Sequence, residues 1–327
     1  MEAKNRNQVI DEINQLLVDG GFKTSQVYYQ SCFDMAARKK LLLILLKVLV
    51  NIDSINESHV QEIRKVANTF LASPLIVGVK SKTRKLEEDV VYERHGLPAI
   101  GIDTLKNMIL YDEYPEILAD RGGYYVNVNG NILKEYREEY SLSLKDLADL
   151  AHVSRETIYK YENGIVRANS ETAMLLEDIL NIKITLDIDL FEVPKDLNEF
   201  EQTIDDDKTK DLANLGFGVI QTKKAPFDAL AKIDNNSKSN NNLSRIRSQD
   251  ESPLIAGLEK NRTSKTLQKI AISLKDLSLI TESDPFFIMN NAKINHSLEG
   301  IPVIRSWELK ETEDSTEFLK IIKERKS

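Results

Sequence analysis

The sequence predicts an α+β multidomain protein in which two duplicated α/β units flank an all-α segment of four short helices. Three observations predict it. Two distant stretches repeat the same motifs in the same order, a run of helix-period residues lies between them, and the composition is that of a globular chain. At 327 residues, with 41% hydrophobic and 29% charged side chains, the chain is long enough for two or three cores.

The first α/β unit opens with a helical segment and continues through Gly21-Phe22-Lys23-Thr24 to Phe33-Asp34-Met35-Ala36-Ala37-Arg38. The apolar run Leu41 to Val50 follows and reads as a buried strand. It is interrupted by Lys47 and is about half the length a bilayer span requires. A helix over Asn56 to Ala72 then leads to a strand from Ser73-Pro74-Leu75. The unit closes on Gly96-Leu97-Pro98-Ala99-Ile100 and Thr104-Leu105-Lys106. The second copy repeats this order: Gly216-Phe217, then Phe227-Asp228-Ala229-Leu230-Ala231-Lys232, a helix from Ser264 to Leu277, Asp284-Pro285-Phe286, and Gly300-Ile301-Pro302-Val303-Ile304 before Glu308-Leu309-Lys310. Continuous apolar runs of this kind suit strands covered on both faces. The copies differ at the tip between their second and third strands. Arg38-Lys39-Lys40 makes a tight basic turn in the first, whereas the second carries an asparagine-rich tract, expected as a flexible loop near 233–250. These readings divide the chain into 1–120, 121–192 and 193–327.

Between the copies, Gly122 to Gly130 alternates as a strand does, and its Asn129-Gly130 end reads as a hairpin turn. Four helices follow. Ile132, Leu133, Tyr136 and Tyr140 share one face of the first. Ser143 caps the second, whose buried side is Leu144, Leu147, Ala148 and Ala151. Ser154 caps the third, with Ile158 and Tyr161 inward and Gly164 as its stop. The fourth runs from Ser170 to about Leu180. Only His152-Val153-Ser154 separates the second helix from the third, a turn short enough to cross them steeply. Such a crossing presents the N-terminal half of the third helix to a DNA major groove.

Leu142 to Ala148, together with Val153-Ser154-Arg155-Glu156-Thr157-Ile158-Tyr159-Lys160-Tyr161-Glu162-Asn163-Gly164, resembles the Xre, or Cro/cI-type, repressor family over about 50 residues. Where that family commonly has glutamine, this chain has Ser143 and Arg155, so the resemblance carries fold and role but not base preference. It implies Arg155, Glu156 and Tyr159 as readers of base edges, with Lys160 beside them. An arginine fork suits guanine, and a carboxylate can accept from cytosine. Ser143, Thr157, Asn163 and Arg167 fall where phosphates are held, and the cap Ser154 belongs to the same DNA-facing set. Bland roles remain open: Glu162 and Asn163 can close the helix end, and Glu156 can pair with Lys160 at i, i+4.

Charge limits the reading. The formal net charge is −8, and residues 131 to 183 hold seven basic against ten acidic side chains, so any DNA contact must be local. The lone Cys32 reads as a small buried apolar residue, and a lone cysteine fits a reducing compartment. The opening Met-Glu-Ala-Lys-Asn-Arg-Asn lacks a secretory core, so a cytoplasmic protein is expected. His59, His95, His152 and His296 are scattered, no phosphate-binding glycine loop appears, and Trp307 reads as a core or interface residue. No cofactor, metal or catalytic group is expected.

Asp34 followed by Leu42-Leu43-Ile44-Leu45-Leu46-Lys47 is similar to the core of restriction-endonuclease-like nucleases, which hold a divalent cation with an aspartate and a Glu-x-Lys. Lys47 occupies the lysine place, but Leu45 stands at the glutamate place. The second copy keeps Asp228 without a Glu-x-Lys in register. Degenerate, non-catalytic scaffolds are expected. The whole arrangement, through Cys32-Phe33-Asp34, Val90-Val91-Tyr92-Glu93-Arg94-His95-Gly96 and the central helices, also resembles archaeal proteins classed as HTH-type transcriptional regulators. The expectation is a homodimer that binds double-stranded DNA and regulates transcription, with an effector, if any, of unknown chemistry and no membrane contact. The alternatives are a DNA-targeted metal-dependent nuclease using Asp34 and a helix-turn-helix adaptor for a protein partner.

Overall fold

The computed structural model describes residues 5–194, 207–233, 252–290 and 296–326. Apart from Ile233, the expected loop near 233–250 lies outside them. The chain divides into two compact units that interleave along the sequence. Unit 1 is Met1–Gly20, Val48–Ile55 and Leu75–Leu190, and unit 2 is Gly21–Lys47, Asn56–Pro74 and Phe191–Ser327.

In chain order, the first copy comprises α1 (Arg6–Asp19), β1 (Lys23–Thr24), β2 (Met35–Lys39), β3 (Leu42–Asn51), α2 (Glu57–Phe70), β4 (Ser73–Ser81), β5 (Arg84–Lys85), β6 (Val90–Arg94), β7 (Leu97–Gly101) and α3 (Ile102–Lys106). The strands β8 (Ile117–Asp120) and β9 (Gly123–Val128) lead to α4 (Gly130–Glu139), α5 (Leu144–Leu150) and α6 (Arg155–Glu162). Then come β10 (Ala168–Asn169), α7 (Ser170–Leu180) and β11 (Thr185–Leu186). The second copy comprises α8 (Asp207–Asn214), β12 (Phe217–Gln221), β13 (Ala229–Ile233), β14 (Leu254–Leu258), α9 (Ser264–Thr281), β15 (Pro285–Ile288), β16 (Ser297–Leu298), β17 (Ile301–Ile304), α10 (Ser306–Glu311) and α11 (Ser315–Arg325). The strand order β1-β2-β3-β4-β7-β6 recurs as β12-β13-β14-β15-β17-β16. Register agrees as well: Met35 opposes Leu46 in one copy where Ala229 opposes Ala256 in the other.

In unit 1, β4 runs parallel to β7, β6 antiparallel to β7, β6 parallel to β8 and β8 antiparallel to β9. Gly78 of β4 has no room for a side chain. A Cβ there would overlap Ile52 and stand 3.2 Å from the Leu49 carbonyl. The helices α4 to α7 close over Leu133, Leu147, Ala148, Ile158, Tyr161 and Leu176, with Val126 of β9 in the same core. Two expectations fail here. Asn129-Gly130 makes no hairpin: Asn129 is the N-cap of α4, its side chain accepting from the Ile132 N–H at 3.2 Å. Tyr140 ends α4 at 52% exposure and is not on its buried face.

In unit 2, β1, β2 and the Leu42–Lys47 part of β3 form an antiparallel path, as do β12, β13 and β14, while β14, β15 and β17 run parallel. Phe217, Phe286 and Phe318 meet edge to face in the second copy's core. Leu41, expected inside a strand, is 92% exposed at the β2–β3 tip, where Lys40 takes a positive φ of 55°. Trp307 is 59% exposed and so is not a core residue. Among the described residues, no helix is long and apolar enough to cross a membrane.

Candidate nucleic-acid interface

The second and third helices are set by their caps. Ser143 Oγ accepts from the Asp146 N–H at 3.1 Å and Asp146 returns the bond to the Ser143 N–H at 2.9 Å. Ser154 Oγ accepts from the Thr157 N–H at 3.1 Å and shares a hydrogen bond with the Thr157 hydroxyl at 2.8 Å. Each such cap stabilises its helix by about 1 kcal/mol. Between them His152 turns the chain at φ 55°, and the Val153 N–H donates to the Ala148 carbonyl at 2.9 Å. The small Ala148, 1% exposed, lies in the core that both helices share.

With Ile158 and Tyr161 buried, α6 turns Arg155, Glu156 and Tyr159 to solvent. Arg155 and the exposed Arg167 make no side-chain hydrogen bond or ion pair with the described residues, which leaves both guanidinium groups available. Glu156 and Lys160 pair at 2.8 Å, the bland role foreseen for them. Because that pair is exposed it is weak and can be exchanged for a ligand contact. Lys160 holds the Glu156 carboxyl below its ordinary pKa. Asn163 donates from Nδ2 to the Tyr159 carbonyl at 2.8 Å, closing the helix before Gly164 leaves at φ 62°. Ser143, Ser154, Thr157 and Asn163 therefore serve the helix ends, and only outward lone pairs or protons remain for a phosphate.

Sequence reasoning missed the staple beneath this face. Arg137 of α4, 8% exposed, reaches Glu162 of α6 with Nε to Oε1 at 2.5 Å and Nη2 to Oε2 at 3.2 Å, and also donates to the Leu142 carbonyl at 2.9 Å. Its signal was present. Arg137 stands four residues after Leu133, on the inward face of α4, where a cation needs a partner. Gly130 completes the fit, since a Cβ there would stand 2.7 Å from the Tyr161 carbonyl and closer still to that of Glu162.

The nuclease-like positions are filled by cations. Asp34 has no exposed surface, and Lys47 Nζ lies 3.1 Å from its Oδ1 while also donating to the Ser31 carbonyl at 2.7 Å. The neighbouring Leu45 is buried and offers no oxygen. In the second copy Asp228, 4% exposed, receives Lys260 at 2.6 Å, Arg262 at 2.5 and 2.9 Å, and the Leu258 N–H at 2.8 Å. The register places Ile255 and Gly257 where the first copy has Leu45 and Lys47, and a side chain at Gly257 would strike Phe287. Lys260 and Arg262, from beyond the strand end, were not foreseen. A divalent cation does not fit either arrangement: Asp34 is a single carboxylate with the apolar Leu45 where a second would stand, and Asp228 has both oxygens taken by cations and an amide.

Two family models match the chain: a PD-(D/E)XK superfamily domain over residues 6–115 and a helix-turn-helix over residues 133–186. The chain is 58% identical over 322 residues to a protein of Methanobrevibacter smithii named "Putative HTH-type transcriptional regulatory protein", covering 98% of both chains. It is 57% identical to a protein of the same name from Methanothermobacter thermautotrophicus, covering 98% of this chain and 97% of the relative. A third, from Thermococcus gammatolerans, is 30% identical over 97% of this chain and 96% of its own. The chain belongs to this archaeal family. The name these relatives carry refers to the element built by α4 to α7, and the PD-(D/E)XK match spans the first copy, as the resemblances in the sequence implied.

Proposed function

We propose that this protein binds double-stranded DNA sequence-specifically as a homodimer in the cytoplasm, with α6 in the major groove and the two α/β copies as non-cleaving scaffolds for assembly or signal binding. In this reading residues 121–192 form the reader, between blocks 1–120 and 193–327. The observation that carries it is the outward face of α6, where Arg155 is unpaired among the described residues and stands beside Tyr159 on a helix capped by Ser154. Arg155, Glu156, Tyr159 and Lys160 take base edges, and Ser143, Ser154, Thr157, Asn163 and Arg167 take phosphates. The apolar Leu45 and Ile255 at the two glutamate places, with the cations on Asp228, support a non-enzymatic role for the flanks.

Duplexes selected from a genomic pool and titrated by fluorescence anisotropy test the reading. Losing a bidentate base contact costs about 1–3 kcal/mol, so Arg155→Ala should bind the selected site roughly 5- to 150-fold more weakly. Equal affinity would show that α6 is not the reader. Incubation of wild-type protein with plasmid DNA and Mg²⁺ or Mn²⁺ should leave the plasmid intact. Cleavage that disappears in Asp34→Ala would restore the nuclease alternative.

A further inference from the structure

The side chains that exclude a metal from the second copy leave positive charge where the metal would stand. In a restriction-endonuclease-like core the aspartate holds a divalent cation, and a cation so placed polarises a phosphoryl oxygen. The second copy repeats the strand order of the first, but at Asp228 two side chains take the cation's place. Lys260 Nζ donates to Oδ1 at 2.6 Å, and Arg262 donates from Nη1 to Oδ2 at 2.5 Å and from Nη2 to Oδ1 at 2.9 Å. Arg262 Nη1 also donates to the Leu258 carbonyl at 2.9 Å, which fixes the plane of the guanidinium. The aspartate, 4% exposed, is a buried anchor for two cations and neutralises only one of them.

Donors remain on both. An ammonium carries three N–H groups and a guanidinium five. Lys260 spends one on Asp228, and Arg262 spends three on Asp228 and Leu258, so each keeps two without a partner among the described residues. The side chains are reachable, at 43% and 26% exposure. They line a cleft of about 760 Å³ together with Lys223, whose exposed ammonium makes no hydrogen bond or ion pair with the described residues. The backbone of Lys223 is held in place, its N–H donating to the Glu62 carboxylate. With every charge kept, the described lining sets the cations Lys208, Lys223, Lys260 and Arg262 against the carboxylates Asp207 and Asp228. Asp207 already meets Lys210 at 3.0 Å, and Glu62 stands beside Lys224 as well as Lys223, so the surroundings do not reverse the balance. The first copy offers no such access, since Lys47 beside Asp34 is only 12% exposed and also donates to the Ser31 carbonyl.

We infer that Lys260 and Arg262, anchored on Asp228, form a phosphate-binding site in which they contact phosphoryl oxygens directly, with Lys223 reaching the same group. The ligand is a phosphate ester, borne by a nucleic-acid backbone or by a small phosphorylated compound. A guanidinium suits it because its planar N–H groups match two oxygens of one phosphate. No bond breaks there; the group is held and released unchanged. The site belongs to unit 2 and α6 to unit 1, and it does not depend on α6 reading DNA.

The test uses the full chain carrying Arg155→Ala, so that the proposed base reader is disabled. A labelled duplex of unselected sequence is titrated by fluorescence anisotropy between about 50 and 200 mM salt, and inorganic phosphate by calorimetry. At least one should bind. Adding Lys223→Gln and Lys260→Gln should weaken that ligand roughly tenfold or more, because two charged donors are lost. For the duplex it should also lower the slope of log K against log salt by about 1 to 2, at about 0.9 per phosphate contact. Lys223→Gln alone, whose side chain bonds to none of the described residues, should weaken the ligand several-fold and keeps the test decisive if the double variant loosens β14. Lys320→Gln with Lys323→Gln removes equal charge from α11 and should change neither affinity nor slope. Duplex binding that inorganic phosphate displaces only at large excess assigns the backbone as ligand, and phosphate binding without duplex binding assigns a small phosphorylated compound. Failure of both ligands to bind, unchanged affinity in Lys223→Gln, or an equal loss in the α11 control overturns the inference. Binding of the selected duplex by the chain with Arg155 intact is measured separately, so the α6 reading can fail without touching this one.

Discussion

The Arg137–Glu162 staple makes the most demanding prediction, because it ties the reading helix to the helix that precedes it. In Arg137→Ala the Glu162 carboxylate, whose side chain is 5% exposed, loses both of its guanidinium contacts, and the Leu142 carbonyl loses a donor. Removing one member of a buried ion pair costs about 3–5 kcal/mol, mostly the desolvation of the charge left behind. That sum is a large part of the stability of any small domain, typically about 5–15 kcal/mol. A global melt of a chain with several cores is not a two-state measurement, so the effect is read locally by hydrogen exchange with mass spectrometry. Amides of α6 should exchange at least a hundredfold faster, since about 1.4 kcal/mol corresponds to one decade. Amides of α9, in the other unit, serve as the internal reference. Arg137→Met combined with Glu162→Leu should recover most of the protection, because an apolar pair of similar volume leaves no charge buried. Protection in α6 within twofold of wild type would refute the assignment of Glu162 to the core.

Further outcomes follow from other contacts. Gly130→Ala should destabilise the α4–α6 packing by about 1–3 kcal/mol or more, seen in the same exchange experiment, because its methyl would meet backbone carbonyls that cannot move aside. Burial pulls the Asp228 carboxyl up, but Arg262, Lys260 and the Leu258 N–H outweigh it and hold its pKa below the ordinary 3.8. A depressed carboxyl stabilises the fold above its unfolded pKa. That stabilisation should therefore be intact at neutral pH and vanish as pH falls below about 4. Unfolding followed by the fluorescence of Trp307, the chain's one tryptophan and in the same copy, should show a steeper loss of stability from pH 6 to 2 for wild type than for Asp228→Asn. Burial pushes the Cys32 thiol up to about 12, so the native protein should resist iodoacetamide at pH 8 and react only when unfolded. Asp34→Ala should lower the hydrogen-exchange protection of β2 and β3, whereas Asp34→Asn with Lys47→Met should keep it near wild type.

Much of the reader was legible in the sequence because its signals are local. Ser143 with Asp146, Ser154 before the helix, and the spacing of Leu147, Ala148, Ile158 and Tyr161 each act over a turn or two, and all appear as expected. The paired copies were legible for another reason: motif order survives even where individual matches are weak. What stayed hidden depends on distance. Arg137 and Glu162 are 25 residues apart, and Asp228 meets Lys260 and Arg262 across 32 and 34 residues. Asn129-Gly130 misled for a different reason, since an asparagine before glycine suits a hairpin turn and a helix cap equally. Leu41 shows that an apolar run does not mark where a strand begins; the β2–β3 turn expelled it.

The cations beside Asp34 and Asp228 give each buried aspartate a charge partner from the chain itself. A carboxylate at 0% or 4% exposure is costly unless its charge is met, and dropping it for alanine would strand Lys47 or Arg262 instead. Each aspartate is therefore held by a cationic partner, and its presence alone says nothing about hydrolysis. For the same reason a loss of cleavage in Asp34→Ala carries weight only if the protein remains folded, which the Asp34→Asn and Lys47→Met pair secures by removing both charges together. A protein that keeps DNA binding in that double variant does not use the Asp34 site for recognition, and the reading by α6 then stands independently of it.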